Sequence, residues 1–201
     1  LKSENKNFTT ERTKLFNALD DAVSFYENNL KNKKEVLNYL EERGLKKESI
    51  KNFRIGFATD DWRGVYNFLK NNNYTDLEIE KVGLIIKKNQ SSTFNSQPSY
   101  FDRFRSRIMF PLSDNSGRVV GFSGRIFASP SVALAKEGAK YINSPQTILY
   151  DKSKILYAFD KAKFDIRKKD YCILVEGQMD VLMSHQAGIS NAVAVSGTAL
   201  T

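Results

Sequence analysis

One cysteine, one histidine, one tryptophan and four prolines stand among the 201 residues of this chain. Cys172 has no partner for an internal disulfide, and with His185 the only imidazole there is no Cys/His zinc site. Cys172 falls inside an apolar run and is expected as a buried structural thiol; His185 is expected at the surface or in packing, not as a ligand. No apolar run approaches the roughly 18 residues that cross a bilayer, and the amino terminus has no apolar signal core. A protein of the reducing cytoplasm, with no membrane partner, fits these absences. A further absence is local: from Tyr171 to Thr201 there is no Lys or Arg, although the chain carries a net charge of +8. That overall charge favours a polyanionic partner. With 41% hydrophobic and 27% charged residues the chain reads as globular, long enough for one large domain or two small ones.

The cation-free stretch opens with Tyr171-Cys172-Ile173-Leu174-Val175, an unbroken apolar run that predicts a strand buried on both faces. It stops at Glu176, and Gly177 allows a sharp turn into a helix starting near Gln178. Asp180 then sits in the first helical turn, close to Glu176. Two acids meet at the carboxyl end of a parallel-type strand, where open α/β sheets place their ligands. With no base nearby in sequence, a distant base or a divalent cation is the natural partner.

The amino-terminal part reads as helical. Residues 1–8 look like a frayed lead-in, followed by a helix from Thr10 with Leu15, Leu19, Ala22 or Val23, Tyr26 and Leu30 on one face. A second helix over 33–43 ends at Gly44, with Leu45 folding back on the last turn. Short helical pieces are expected over 47–53 and 62–71, with an extended segment over 54–58 between them. Thr75 and Glu78 form a capping box for the next helix, which Gly83 ends. The aromatics of this half fall at helical spacing and are expected in the core. Residues 88–99 read as a loop. A β-hairpin follows, with strands over 107–112 and 118–127 around Asp114-Asn115-Ser116-Gly117. Gly121 and Gly124 inside the second strand mark a bulge or a close approach. Residues 129–139 read as a loop and 154–167 as a helix. Gly188 caps the helix after Asp180, and the next strand lies over 192–196, giving a βαβ unit and a parallel sheet.

Cations gather around the hairpin: Arg103, Arg105, Arg107, Arg118 and Arg125, then Lys140 and Lys152. In an extended segment Arg103, Arg105 and Arg107 share one face, a row of guanidinium forks suited to phosphate oxygens. Tyr100, Phe101, Phe104 and Tyr141 lie among them, and stacking aromatics between cations suit single-stranded nucleic acid. A solvated hairpin face with its aromatics turned inward is the alternative.

With these blocks in view the sequence resembles the catalytic core of bacterial DNA primases. The resemblance rests on Tyr100-Phe101-Asp102-Arg103-Phe104-Arg105-Ser106-Arg107-Ile108-Met109-Phe110-Pro111, Gly117-Arg118-Val119-Val120-Gly121-Phe122-Ser123-Gly124-Arg125 and Lys140-Tyr141-Ile142-Asn143-Ser144-Pro145. Glu176-Gly177-Gln178-Met179-Asp180-Val181 and Ser196-Gly197-Thr198 follow in the family's order, and Leu40-Glu41-Glu42-Arg43-Gly44-Leu45 and Ile55-Gly56-Phe57-Ala58 match its helical start. An isolated Glu-Gly-x-x-Asp is weak; the ordered set is specific. The resemblance implies an α+β amino-terminal subdomain followed by the start of an α/β TOPRIM domain with a parallel sheet. The division implied is 1–168 (helical 9–86, hairpin and loops 87–153, linking helix 154–168) and 169–201. It further implies a primase that makes short RNA primers from ribonucleoside triphosphates on a single-stranded DNA template during replication. In that reaction a 3′-hydroxyl attacks an α-phosphorus and pyrophosphate leaves, assisted by Mg²⁺ or Mn²⁺. Glu176 would be catalytic, as metal ligand or proton acceptor, with Asp180 supporting the metal. Arg103, Arg105, Arg107, Arg125, Lys140, Tyr141, Asn143 and Lys152 would line the groove for template and nucleotide. A replicative helicase would bind through a region not in these residues.

The sequence departs from the family pattern at its end. The Asp-x-Asp after the next strand, which supplies the remaining metal ligands, does not occur before Thr201, and the amino-terminal zinc module is not here either. The resemblance therefore implies a piece of a longer protein, expected to hold metal weakly and make no primers by itself. Two other readings compete: a non-catalytic single-stranded-DNA-binding module, and another TOPRIM enzyme, a nuclease or topoisomerase, which gives the Arg103-to-Arg125 hairpin no purpose.

Overall fold

The structure, a computed structural model, describes residues 2–88, 99–127 and 139–195, with side chains from residue 10 onward. The loops expected over 88–99 and 129–139 fall almost wholly outside the described residues, as does Ser196-Gly197-Thr198.

A long helix organises the amino-terminal part. α1 spans Lys2–Lys31, beginning at Lys2 instead of near Thr10. Nothing in 2–31 breaks a helix, since neither Gly nor Pro occurs there, and propagation past the nucleus is nearly free. Its stripe of Leu15, Leu19, Ala22, Val23, Tyr26 and Leu30 is buried. α2 (Lys34–Glu42) and α3 (Lys47–Asn52) follow. Between them Gly44 takes φ +88°, a left-handed conformation that costs a side-chain-bearing residue energy, and Leu45 N–H donates to Leu40 O at 3.0 Å. α4 (Gly64–Asn71) and α5 (Asp76–Lys81) complete this half. The capping box forms as expected: Glu78 N–H donates to Thr75 Oγ1 at 3.3 Å and Thr75 N–H to Glu78 Oε2 at 2.8 Å.

α1 lies across a four-stranded antiparallel sheet of order β1-β4-β5-β6, with β1 at Gly56–Ala58, β4 at Arg107–Ser113, β5 at Val119–Ile126 and β6 at Tyr141–Asn143. β1 can come so near only because residue 56 lacks a side chain: a Cβ there would stand 2.5 Å from Tyr26 Cβ. Tyr26 meets Phe122 of β5 edge to face at 5.4 Å, joining helix to sheet. β4 and β5 are the expected hairpin. A second antiparallel pair, β2 (Ile85–Lys88) with β3 (Ser99–Asp102), was not expected from the sequence, because each strand holds too few apolar residues to show a period.

The carboxyl-terminal part is the expected βαβ unit. β7 (Ile173–Val175) and β8 (Ala192–Ala194) pair in parallel, and α7 (Gln178–Gln186) connects them. Two expectations need correction. Residues 154–167 are not one helix: a 3₁₀ turn covers Lys152–Lys154, and α6 begins only at Phe159 and runs to Lys169. Tyr157 is extended instead, because it exchanges backbone hydrogen bonds with Ala194, at 2.8 and 3.2 Å. Nor is β7 buried on both faces. Leu174 is 42% exposed and Cys172 is exposed, so Cys172 is not the buried thiol expected. Among the described residues β8 is the one strand paired with β7. An apolar run announces a strand without telling how many of its faces are covered. No helix among the described residues is long and apolar enough to cross a membrane.

Candidate active-site cleft

β7 ends where the apolar run ends, and the chain turns at Gly177 into α7. Gly177 is the residue before the helix, with extended backbone (φ −127°, ψ 158°), and Asp180 occupies the first helical turn, as expected. The Asp180 carboxylate hangs over the turn: a Cβ on Gly177 would meet Asp180 Oδ2 at 3.2 Å. Glu176 and Asp180 are both exposed, while Gln178 and Met179 between them are buried. The two acids thus stand out from one wall of a cleft of about 360 Å³.

The opposite wall is cationic. It is formed by Arg43, the residue that ends α2, by Arg125 of β5, and by Lys140 and Tyr141 at the start of β6. β5 and β6 place Arg125 directly across from Tyr141 in the ladder. Arg125 is only 8% exposed. It donates to the Tyr39 hydroxyl and lies over the Tyr39 ring at 5.3 Å, while its Nε–H is buried with no hydrogen-bond partner. A buried guanidinium is costly in isolation, a cost that an anionic partner in the cleft would offset. Burial raises the Tyr141 hydroxyl above its ordinary value; Arg125 and Arg43 pull it down, Tyr39 and Asp180 push it up. Both walls therefore act on one phenol. The bases that the carboxyl-terminal sequence lacks are supplied from the amino-terminal half.

The cleft gathers Glu176, Asp180, Arg125, Lys140 and Tyr141 from the residues expected on sequence grounds. Arg103, Arg105, Arg107, Asn143 and Lys152 do not line it. The common face expected for Arg103, Arg105 and Arg107 does not form, because Ser106 adopts φ +49° and breaks the alternation before β4 begins. Arg103 Nε donates to Gly83 O at 3.1 Å. Arg107 turns into the sheet, donating to Gly124 O at 2.9 Å and Ala139 O at 3.2 Å. Gly124 makes room for it, since a Cβ there would sit 3.0 Å from Arg107 Cδ and 2.8 Å from Phe104 Cδ1. Tyr100 and Phe104 are core residues, not free stacking surfaces. Asn143 is half-buried in β6, and Lys152 is exposed beside the 3₁₀ turn.

Arg105 differs from its neighbours. Its guanidinium lies 4.1 Å from the Trp62 ring and 5.4 Å from that of Phe101, and Trp62 is 63% exposed. Asp102 holds this corner together: its carboxylate accepts from Val65 N–H at 2.9 Å and Tyr66 N–H at 3.1 Å at the start of α4, and its N–H donates to Trp62 O at 2.8 Å. Sequence reasoning missed Arg43 and Trp62. A cation at a helix end reads as a partner for the helix dipole, and an aromatic in a helical half reads as core. Arg43 did lie in a block matched to the family, which was the available signal.

A small mixed subdomain whose cations face the acidic strand end of a parallel βαβ unit is the architecture of a primase-type catalytic core. The family model for the DNA primase catalytic core, N-terminal domain, matches residues 25–163, and that for the Toprim domain matches residues 170–201. The chain is 37% identical over 190 residues to the DNA primase of Clostridium acetobutylicum, covering 94% of this chain and 29% of that relative. It superposes on the RNA polymerase domain of Mycobacterium tuberculosis primase DnaG with a TM-score of 0.84 at 32% identity, over 94% of this chain and 58% of that one. A DnaG primase catalytic domain bound to single-stranded DNA gives a TM-score of 0.78 at 34% identity, over 96% and 56% of the two chains. The chain belongs to the bacterial DNA primase family and has the fold of its catalytic core, an α+β subdomain followed by the start of a Toprim sheet.

Proposed function

We propose that the cleft is where ribonucleoside triphosphates are joined on a single-stranded DNA template in the primer synthesis of a DNA primase, with this chain by itself expected to make no primers. The observation behind this reading is the meeting of Arg43, Arg125 and Lys140 with Glu176 and Asp180 across one cleft. A triphosphate needs cations along its oxygens, and phosphoryl transfer needs acids beside them to organise the reacting centre. The cationic wall binds and orients the phosphates. Arg125, which lines the cleft and is held by the Tyr39 hydroxyl, is suited to a phosphate oxygen that stays in place through the reaction. The bond formed is between a 3′-hydroxyl oxygen and the α-phosphorus, the bond broken is the α–β phosphoanhydride, and pyrophosphate leaves.

The donor set fits a hard divalent ion. Mg²⁺ is held by one or two carboxylates with water and phosphate oxygens, and Glu176 and Asp180 are two such donors on one wall. Among the described residues no group of three or more His, Cys, Asp or Glu side chains is placed to hold a metal ion. Bound there, Mg²⁺ or Mn²⁺ would neutralise charge on the transferred phosphoryl group and ease deprotonation of the attacking hydroxyl. The Trp62–Arg105–Phe101 corner supports the template's approach, offering an exposed ring and a guanidinium on which bases stack without sequence preference. The division near residue 168, between cation-bearing and acid-bearing parts, belongs to the same reading.

Glu176→Gln in the protein at its full natural length tests the proposal. Primer synthesis on a single-stranded template with Mg²⁺ is expected to fall about 10²-fold or more, while oligonucleotide affinity stays within about twofold. Unchanged synthesis would refute the role given to Glu176. A template-binding module without chemistry would show no synthesis in the parent protein either.

A further inference from the structure

We propose that Gln186 is a positioning residue of the cleft, setting Arg43 against Glu176 and Asp180 by pinning the turn after α2 to the far end of α7. The proposal rests on the cleft being the site of reaction. Arg43 is the last residue before that turn, so the turn's placement is the placement of Arg43. Both polar backbone groups that the turn presents to α7 end on one side-chain amide. Lys46 N–H donates to Gln186 Oε1 at 2.7 Å, and Gln186 Nε2 donates to Gly44 O at 2.8 Å. The buried Ser49 hydroxyl adds a third bond, to Oε1 at 2.8 Å. An apolar contact backs them: a Cβ at Gly44 would lie 3.2 Å from Met183 Cε, so Met183 fills the space beside the turn.

α7 transmits this attachment. Gln186 is its last residue, Asp180 is in its first turn, and Glu176 immediately precedes its Gly177 cap. A helix of nine residues is a stiff rod about 13 Å long, so what fixes one end fixes the other. The three bonds join residues 137 to 142 positions apart in sequence, from the cation-bearing half to the acid-bearing half. An amide alone of the common side chains accepts twice and donates once in this arrangement. A carboxylate would oppose Gly44 O, and a methionine of similar length would keep none of the three bonds. The seam itself has other support. His185 meets Phe53 edge to face at 5.3 Å, and Tyr157 and Ala194 exchange backbone hydrogen bonds at 2.8 and 3.2 Å. Loss of the amide should thus loosen the turn without separating the two halves.

The test is a double-mutant cycle in primer synthesis with the protein at full natural length, comparing the wild type, Gln186→Met, Arg43→Ala and the double variant. Removing a charged hydrogen bond to phosphate is expected to raise the ribonucleoside triphosphate KM about tenfold in Arg43→Ala. Gln186→Met is expected to raise it several-fold, and the double variant to be no worse than Arg43→Ala alone, because the amide acts through the arginine. Amide hydrogen exchange at Lys46 should speed up about tenfold in Gln186→Met, with the β4–β5 amides unchanged. Additive KM effects, or unaltered Lys46 exchange, would overturn the proposal. If Arg43→Ala leaves KM unchanged, the reading of the cleft fails and the proposal falls with it, a result distinct from additivity. Should Gln186→Met not fold, Ser49→Ala removes one bond alone. It is expected to shift KM and Lys46 exchange in the same direction by less, and no shift counts against the proposal.

Discussion

Asp102 offers the most direct physical test of the corner that presents Arg105 and Trp62. Its carboxyl is buried, and burial pushes it up to about 6 from an ordinary 3.8, against the downward pull of the Val65 and Tyr66 N–H groups, Arg105 and Gly64 N–H. The folded chain therefore holds a proton on Asp102 at pH values where the unfolded chain has released it. Stability from this group is complete below pH 3.8 and is lost as pH rises through about 6. At about 1.4 kcal/mol per pH unit, the loss is on the order of 3 kcal/mol. For a domain of this size that corresponds to roughly 6–12 °C in Tm. Asp102→Asn keeps an acceptor for one of the two α4 N–H groups, a loss that does not vary with pH, and it does not titrate. The difference in Tm between wild type and Asp102→Asn, measured by calorimetry from pH 4 to 8, should fall as pH rises and flatten above about pH 7. A difference that rises with pH would refute the reasoning, since it would mean that the three N–H groups and Arg105 outweigh burial. A flat difference would also refute it.

Two further changes probe binding and fold. Arg105→Ala should weaken oligonucleotide binding and reduce the slope of log K against log salt by about 1 if Arg105 pairs with a phosphate; fluorescence anisotropy from 50 to 200 mM salt reads both. Gly56→Ala should cost about 3 kcal/mol or more by denaturant unfolding, because the new Cβ would lie 2.6 Å from the Tyr26 carbonyl carbon, backbone that cannot step aside. An unaltered midpoint would show that β1 does not rest on α1 as described.

How much could be read in advance depended on the range of the interaction responsible. The buried stripe of α1 follows from the helical period alone. The Thr75–Glu78 box and the left-handed Gly44 follow from contacts within a few residues, and all three appear where expected. The acidic end of β7 was equally plain, because an apolar run ending in Glu-Gly has few local outcomes. The arginine row failed for the same kind of reason. One left-handed residue, Ser106, held by Thr59 O and the Asp60 carboxylate from another part of the chain, sends three adjacent arginines to three different partners. No spacing rule contains that.

The sequence by itself determined most of the elements, the family, and the two acids without a local counter-charge. Each of these is a matter of order and short-range periodicity. Tertiary structure decided which cations answer the acids. Arg125 and Lys140 were candidates among many, and Arg43 was not one until α2 was laid beside α7. The reason is physical: charges in a cleft interact through space at a few ångströms, and these residues lie some 36 to 137 positions from the acids they face. Folding alone brings these residues to one cleft, here through the Gln186 amide and the antiparallel pairing of β5 with β6.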